Sequence, residues 1–141
     1  PVKKLFYRKL DHISIYVLIA GTYTPYTLIF LSHSKGVLLF GIVWSIALLG
    51  TFLKTFFTGR FEIISLLLYL VMGWLIVYDF TALALAVSPR AISLLIAGGG
   101  FYTAGILFYV RNSLKYNHVL WHLFVLAGSI CHFFSIYLEL I

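Results

Sequence analysis

Acidic side chains are almost missing from this sequence: four Asp and Glu stand among 141 residues, against ten Lys and Arg. Only 10% of the residues are charged, where an average soluble domain carries about 25%. With so little charge and 62% hydrophobic residues, the chain could not cover an apolar core with polar surface. It is a membrane protein by composition. Cysteine occurs once, as Cys131 inside the last apolar run, which excludes an intrachain disulfide and suggests a small buried packing residue. The basic residues are scattered singly between apolar runs and form no arm or face, which excludes a nucleic-acid partner. Methionine also occurs once, as Met72. With basic residues in "PVKKLFYRKLDH" leading straight into an apolar run, the amino terminus is expected to be cut from a longer protein.

Five apolar runs are long enough, or nearly so, to cross a hydrocarbon core, which takes roughly 20 residues. They cover about Ile13–Leu31, Gly36–Leu53, Ile63–Tyr78, Ala91–Val110 and Leu120–Leu138. Helix is expected throughout, because a segment in lipid must satisfy its own backbone hydrogen bonds and the alternation of a barrel strand is absent. The expected fold is an all-α polytopic bundle forming one transmembrane domain over residues 1–141. "YDFTALALAV", after the third run, reads either as a helix continuation or as an interfacial segment.

Lys3, Lys4, Arg8, Lys9, Lys54, Arg60, Arg111 and Lys115 fall on one side of these spans, and only Lys35 and Arg90 on the other. The positive-inside rule makes the first side cytoplasmic and the C-terminus exoplasmic. The first and fifth spans then both start at the inner boundary. Asp11, His12, His118 and His122 are expected at similar depth there.

His118 and His122 are one helical turn apart and share a face. Two neutral imidazoles so placed can reach one metal ion, and with an oxygen donor nearby zinc suits them best. Asp11 could bind the ion or hold a water on it and accept its proton, which is chemistry that hydrolyses an amide or ester. Histidines at a membrane boundary also serve simply by hydrogen-bonding headgroups or backbone, and the spacing alone leaves both readings open. His12 lies about 100° round the helix from Asp11, so the two cannot both point squarely inward. His132 is ten residues past His122, about 15 Å further along a helix, and reads as a hydrogen-bonded buried histidine. His33 reads as a solvated loop residue.

In "GTYTP", Pro25 should bend the first span, with Gly21 giving room and Thr22 and Thr24 bonding the loosened carbonyls. "AGGGFYTAG" lacks the Lys-Ser/Thr of a phosphate loop. Gly99 with Thr103, and Gly100 with Ala104, instead make small-residue pairs that let another helix approach. Tyr102 could place a hydroxyl inside the bundle. Trp121 is the best placed of three tryptophans to anchor at the interface. Glu62 and Glu139 should meet water or headgroups, and Asp79 should mark the end of the third span.

"RKLDHISIYVLIAGTYTPYTL", "YLVMGW", "AGGGFYTAGILFY" and "HVLWHLFVLAGSICHF" resemble consecutive blocks of the hemolysin III family, the bacterial branch of the progestin and adipoQ receptor (PAQR) superfamily. The resemblance runs over essentially the whole chain. It implies a seven-helix fold in the bacterial plasma membrane, of which these spans would be helices three to seven. It implies zinc near the cytoplasmic face, held by His118 and His122 of the last helix, with Asp11 holding water at the metal. A third histidine, from a Ser-x-x-x-His motif of the second helix, has no counterpart in this sequence. The activity implied is a zinc-dependent, ceramidase-like hydrolysis of lipid amides or esters, the partner being a membrane lipid with an acyl chain. A non-enzymatic lytic or channel-like protein, and a receptor or sensor of membrane state with structural zinc, remain as alternatives.

Overall fold

A computed structural model describes residues 2–57, 62–111, 113 and 115–141. The described residues contain helices and turns and no strand. Five helical segments are long and apolar enough to cross a membrane: Val2–Phe30, Gly36–Phe56, Glu62–Ala86, Pro89–Val110 and Asn117–Leu140. Each matches one of the expected spans. Each also extends past the apolar run that marked it, because hydropathy finds only the part of a helix that sits in oil. The chain falls into two compact units, residues 1–78 and 79–141.

In the first unit, α1 (Val2–Pro25) packs on α2 (Gly36–Phe56) and α3 (Glu62–Trp74), and α2 also touches α3. The buried positions of α1 are His12, Ile15, Tyr16, Ile19, Ala20 and Tyr23, a three-and-four spacing that makes one face. Gly50 of α2 opens the space for Tyr16: a Cβ at Gly50 would stand 2.2 Å from the Tyr16 ring. At Pro25 the regular helix stops, as the missing donor requires. A wider π turn over Tyr26–Phe30 takes over, closed by Leu31 N–H donating to the Tyr26 carbonyl at 2.9 Å. Thr22 and Thr24 donate to the carbonyls of Leu18 and Ala20, each one turn back, at 2.8 and 3.0 Å. Thr24 also accepts from Trp44 Nε1 at 3.2 Å, so the bend is tied to α2.

The segment after Trp74 continues as a 3-10 turn over Leu75–Asp79 and then α4 (Phe80–Ala86), which settles the helix-continuation alternative. The change of pitch frees backbone groups, and Tyr23 satisfies two of them. Its hydroxyl donates to the Gly73 carbonyl at 2.8 Å and accepts from Ile76 N–H at 3.1 Å.

In the second unit, α5 (Pro89–Val110) and α6 (Asn117–Leu140) form a closely packed pair. The small residues expected at their contact are met only in part: Gly99 is buried in α5. Gly100 has open space around it, whereas a Cβ at Gly98 would stand 2.3 Å from His132 and 3.0 Å from the Gly128 carbonyl. Gly98 and Gly128 therefore set the crossing. Thr103 turns back to donate to the Gly99 carbonyl at 2.8 Å. Between the helices His132 Nε2 donates to the Leu95 carbonyl at 3.2 Å, and Ser135 Oγ to that of Ala91 at 2.8 Å. Tyr102 Oη pairs with Ser129 Oγ at 2.9 Å. His132 is thus the hydrogen-bonded buried histidine that was expected, and His33 is exposed.

Four readings need correcting. Trp121 is buried, not an interfacial anchor, with its ring 3.1 Å from where a Cβ on Gly105 would stand. Cys131 is half-buried rather than fully packed away. Asp79, expected to mark the end of the third span, is buried inside a segment that runs on to Ala86. Glu139 accepts from Ser88 N–H at 3.0 Å and from the Ser88 hydroxyl. That places its charge at the positive amino end of α5 rather than among headgroups.

Candidate functional site

His118 lies in the first turn of α6 and His122 one turn later. The chain enters α6 through Tyr116, whose φ of 61° puts it in the left-handed region, an uncommon state for a residue with a Cβ. Asn117 holds this entry to the end of α5, its side-chain amide donating to the Tyr109 carbonyl at 3.0 Å. The Tyr109 ring meets both His118 and the buried Trp121, with centroids 5.9 and 5.5 Å away. Packing of Trp121 against α5 fixes the rotation of α6 at this level. The two imidazoles, both exposed, come together as the spacing predicted: their Nε2 atoms are 2.9 Å apart and the rings lie edge to face.

That separation tests the fit to zinc. Two nitrogens bound about 2.0–2.1 Å from a tetrahedral ion sit roughly 3.3 Å apart. A few degrees of ring rotation bridge the difference, so the pair fits as two ligands of one ion. In the same unit, a groove of about 310 Å³ runs along α5, lined by Ala104, Leu107, Phe108 and Arg111. It is apolar along its length and carries one guanidinium, in a residue that stands just past the end of the helix.

Asp11 belongs to the first unit. It lies in α1, half-buried, with its backbone carbonyl accepting from Ser14 Oγ at 2.8 Å. Its neighbour His12 is buried and committed elsewhere. Tyr69 donates its proton to the His12 carbonyl at 3.0 Å, which leaves His12 Nδ1 to donate to the phenolic oxygen at 3.1 Å. The two residues take different faces of α1, as their angular separation required.

Sequence reasoning missed the polar group around His12. Glu62, expected to meet water or headgroups, is half-buried and meets charged side chains of other helices. Its Oε1 accepts from Arg8 at 2.8 Å and stands 3.2 Å from Lys54 Nζ, while its Oε2 is 3.6 Å from His12 Nε2. Lys54 is only 1% exposed at its side chain, although it reads in sequence as a topology-setting charge. The available signal was the scarcity of acids: one of four sits just across the short connection "TGRF" from a lysine.

A profile of the family described as Haemolysin-III related matches residues 2–133. The chain is 46% identical over 135 residues to Hemolysin-3 of Bacillus cereus, covering 96% of this chain and 61% of that protein. It is also 46% identical over 127 residues to the Hemolysin-3 homolog of Bacillus subtilis (strain 168), covering 90% and 60%. The human Monocyte to macrophage differentiation factor is 25% identical over 133 residues, covering 90% and 52%. The chain thus spans about three fifths of the bacterial relatives it matches. No solved structure matches it.

Proposed function

This chain belongs to the Haemolysin-III related family of membrane proteins, and from that membership we propose that it carries the metal-binding end of a lipid hydrolase. His118 and His122 hold a zinc ion, and Asp11 orients water for attack on the amide or ester of a membrane lipid. The observation that carries this reading is the pair of Nε2 atoms 2.9 Å apart at the start of α6. When bound, zinc supplies Lewis acidity and lowers the pKa of water to about 7.

The protein's own groups do the rest. The imidazoles, both reached through Nε2, set the ion's position. Asp11 contributes a carboxylate that accepts the proton of the attacking water. The groove lined by Ala104, Leu107 and Phe108 receives the acyl chain, whose burial is worth about 0.8 kcal/mol per methylene. The lipid enters sideways from the membrane. The excess of basic residues at the ends that include Lys3, Lys4, Arg8 and Lys9 supports a site at the inner leaflet with the C-terminus outside. The family resemblance calls for a third histidine ligand beside these two.

The test is metal content and turnover of a lipid amide by the full-length protein and its His118→Ala, His122→Ala and Asp11→Ala variants. Loss of zinc in the histidine variants, with zinc retained and turnover lost in Asp11→Ala, supports hydrolysis. Zinc without cleavage of any lipid amide or ester favours a receptor or structural role. The bacterial relatives are named for lysis; liposome leakage unchanged by all three substitutions would favour that activity for this chain.

A further inference from the structure

α1 begins with cations where a helix disfavours them. Lys3, Lys4, Arg8 and Lys9 crowd its first turns and no acid stands in the first of them, although the amino end of a helix carries partial positive charge. Such an end frays unless something holds it. Glu62, the first residue of α3, supplies the missing negative charge from another helix.

What Glu62 holds is one particular turn. Arg8 Nη2 donates to Oε1 at 2.8 Å, and His12 Nε2 stands 3.6 Å from Oε2. Arg8 precedes Asp11 by three residues, so the carboxylate grips α1 one turn before Asp11, while on the other side the His12 ring lies close to it without a hydrogen bond. From α2, Lys54 Nζ approaches Oε1 to 3.2 Å with its side chain 1% exposed. Burying an ammonium costs several kcal/mol, and a lysine near the end of an apolar helix ordinarily avoids this by snorkelling to water. Here it is sunk between helices and fixes the carboxylate from behind. A further contact comes two helical turns along α3, where Tyr69 bonds both the carbonyl and the ring of His12. The Tyr69 ring is braced in turn by Tyr16, 4.5 Å away between centroids.

We propose that Glu62 is a positioning residue: held by Lys54, it fixes the Arg8–His12 turn of α1 and so sets the stance of the Asp11 carboxylate. This rests on the reading of Asp11 as the group that orients water. A tether without that role would hold the fold together but leave the chemistry alone.

The experiment uses the full-length protein in lipid nanodiscs, with Cys131→Ser to free the labelling chemistry. Nitroxides at Tyr7→Cys and Ile64→Cys, both exposed positions, report the α1–α3 distance by electron paramagnetic resonance. The expected result is a narrow distribution that widens at least twofold in Glu62→Gln. In a second arm, Glu62→Gln lowers kcat for a lipid amide tenfold or more, with KM and zinc content unchanged. If Glu62→Gln fails to fold, Lys54→Met/Glu62→Leu removes both charges while keeping apolar volume and takes its place in both arms. An unchanged distance distribution overturns the proposal whatever the activity. A widened distribution with unchanged kcat overturns it too, leaving only a tether. Absence of turnover in the parent protein instead sinks the reading of Asp11, and the distance arm still decides whether Glu62 grips the turn.

Discussion

A Cβ placed on Gly98 would stand 2.3 Å from the ring of His132, so the closest approach of α5 to α6 depends on one missing methyl group. The ring cannot swing away cheaply, because its Nε2 is bonded to the Leu95 carbonyl and its edge packs on Tyr102. Gly98→Ala should therefore destabilise the pair by about 1–3 kcal/mol through overpacking. Gly100→Ala, two residues away in open space, should stay within about 0.5 kcal/mol of the parent. Thermal unfolding in detergent, followed by helical signal, distinguishes the two.

Ser88 and Glu139 make a second prediction at the opposite end of this pair. Ser88 Oγ accepts from Ala91 N–H at 3.2 Å, capping α5, while its own backbone N–H and hydroxyl are taken by Glu139. Ser88→Ala loses the cap and the hydroxyl bond, at a cost of about 1 kcal/mol. Glu139→Gln keeps an acceptor but gives up the charge beside the helix dipole, worth about 0.3–1 kcal/mol. The double variant should fall short of the sum, because both changes remove the same contact. A double-mutant cycle on unfolding midpoints reads this directly.

What could be read in advance follows from the range of the interactions. The five helices, the bend at Pro25 and the approach of His118 to His122 are local: they depend on apolar run length, a missing N–H and a spacing of four. The contacts of Glu62, Glu139 and Trp121 depend on which helix faces which, and a single sequence is silent on that. The glycines show the limit well. "AGGG" announces a close crossing, but whether Gly98 or Gly100 meets α6 turns on about 200° of helical rotation, which only the partner helix decides. Lys54 was hidden for the same reason. A lysine near a helix end looks alike whether it snorkels to water or turns inward toward a carboxylate.

Lys54 and Glu62 give a third prediction, on stability rather than position. Removing the carboxylate alone, in Glu62→Gln, leaves a buried ammonium short of its counter-charge. The expected cost is about 3 kcal/mol, the low end for a broken buried pair, since Glu62 is itself 25% exposed. Replacing both, in Lys54→Met/Glu62→Leu, removes the desolvation cost along with the attraction and should be close to neutral. The exposed half of the network behaves otherwise. Arg8 is 46% exposed, and Arg8→Gln should cost no more than about 1 kcal/mol. A double variant less stable than Glu62→Gln would show that the pair contributes net stability.

The last prediction concerns metal and can be read without any substrate. If His118 and His122 ligate zinc, the ion binds the folded protein and not the unfolded chain, so adding it must raise the unfolding midpoint of the full-length protein. At a free concentration one hundred times Kd the gain is about 2.7 kcal/mol. Chelation should reverse it. His118→Ala and His122→Ala should each abolish most of the shift, because either change destroys the paired geometry that two Nε2 atoms 2.9 Å apart provide. His33→Ala, in an exposed loop, should keep the whole shift, as should His132→Asn, whose parent ring is bonded inside α5 and α6. Thermal denaturation with and without zinc checks all four. A shift that survives loss of either His118 or His122 would place the ion elsewhere.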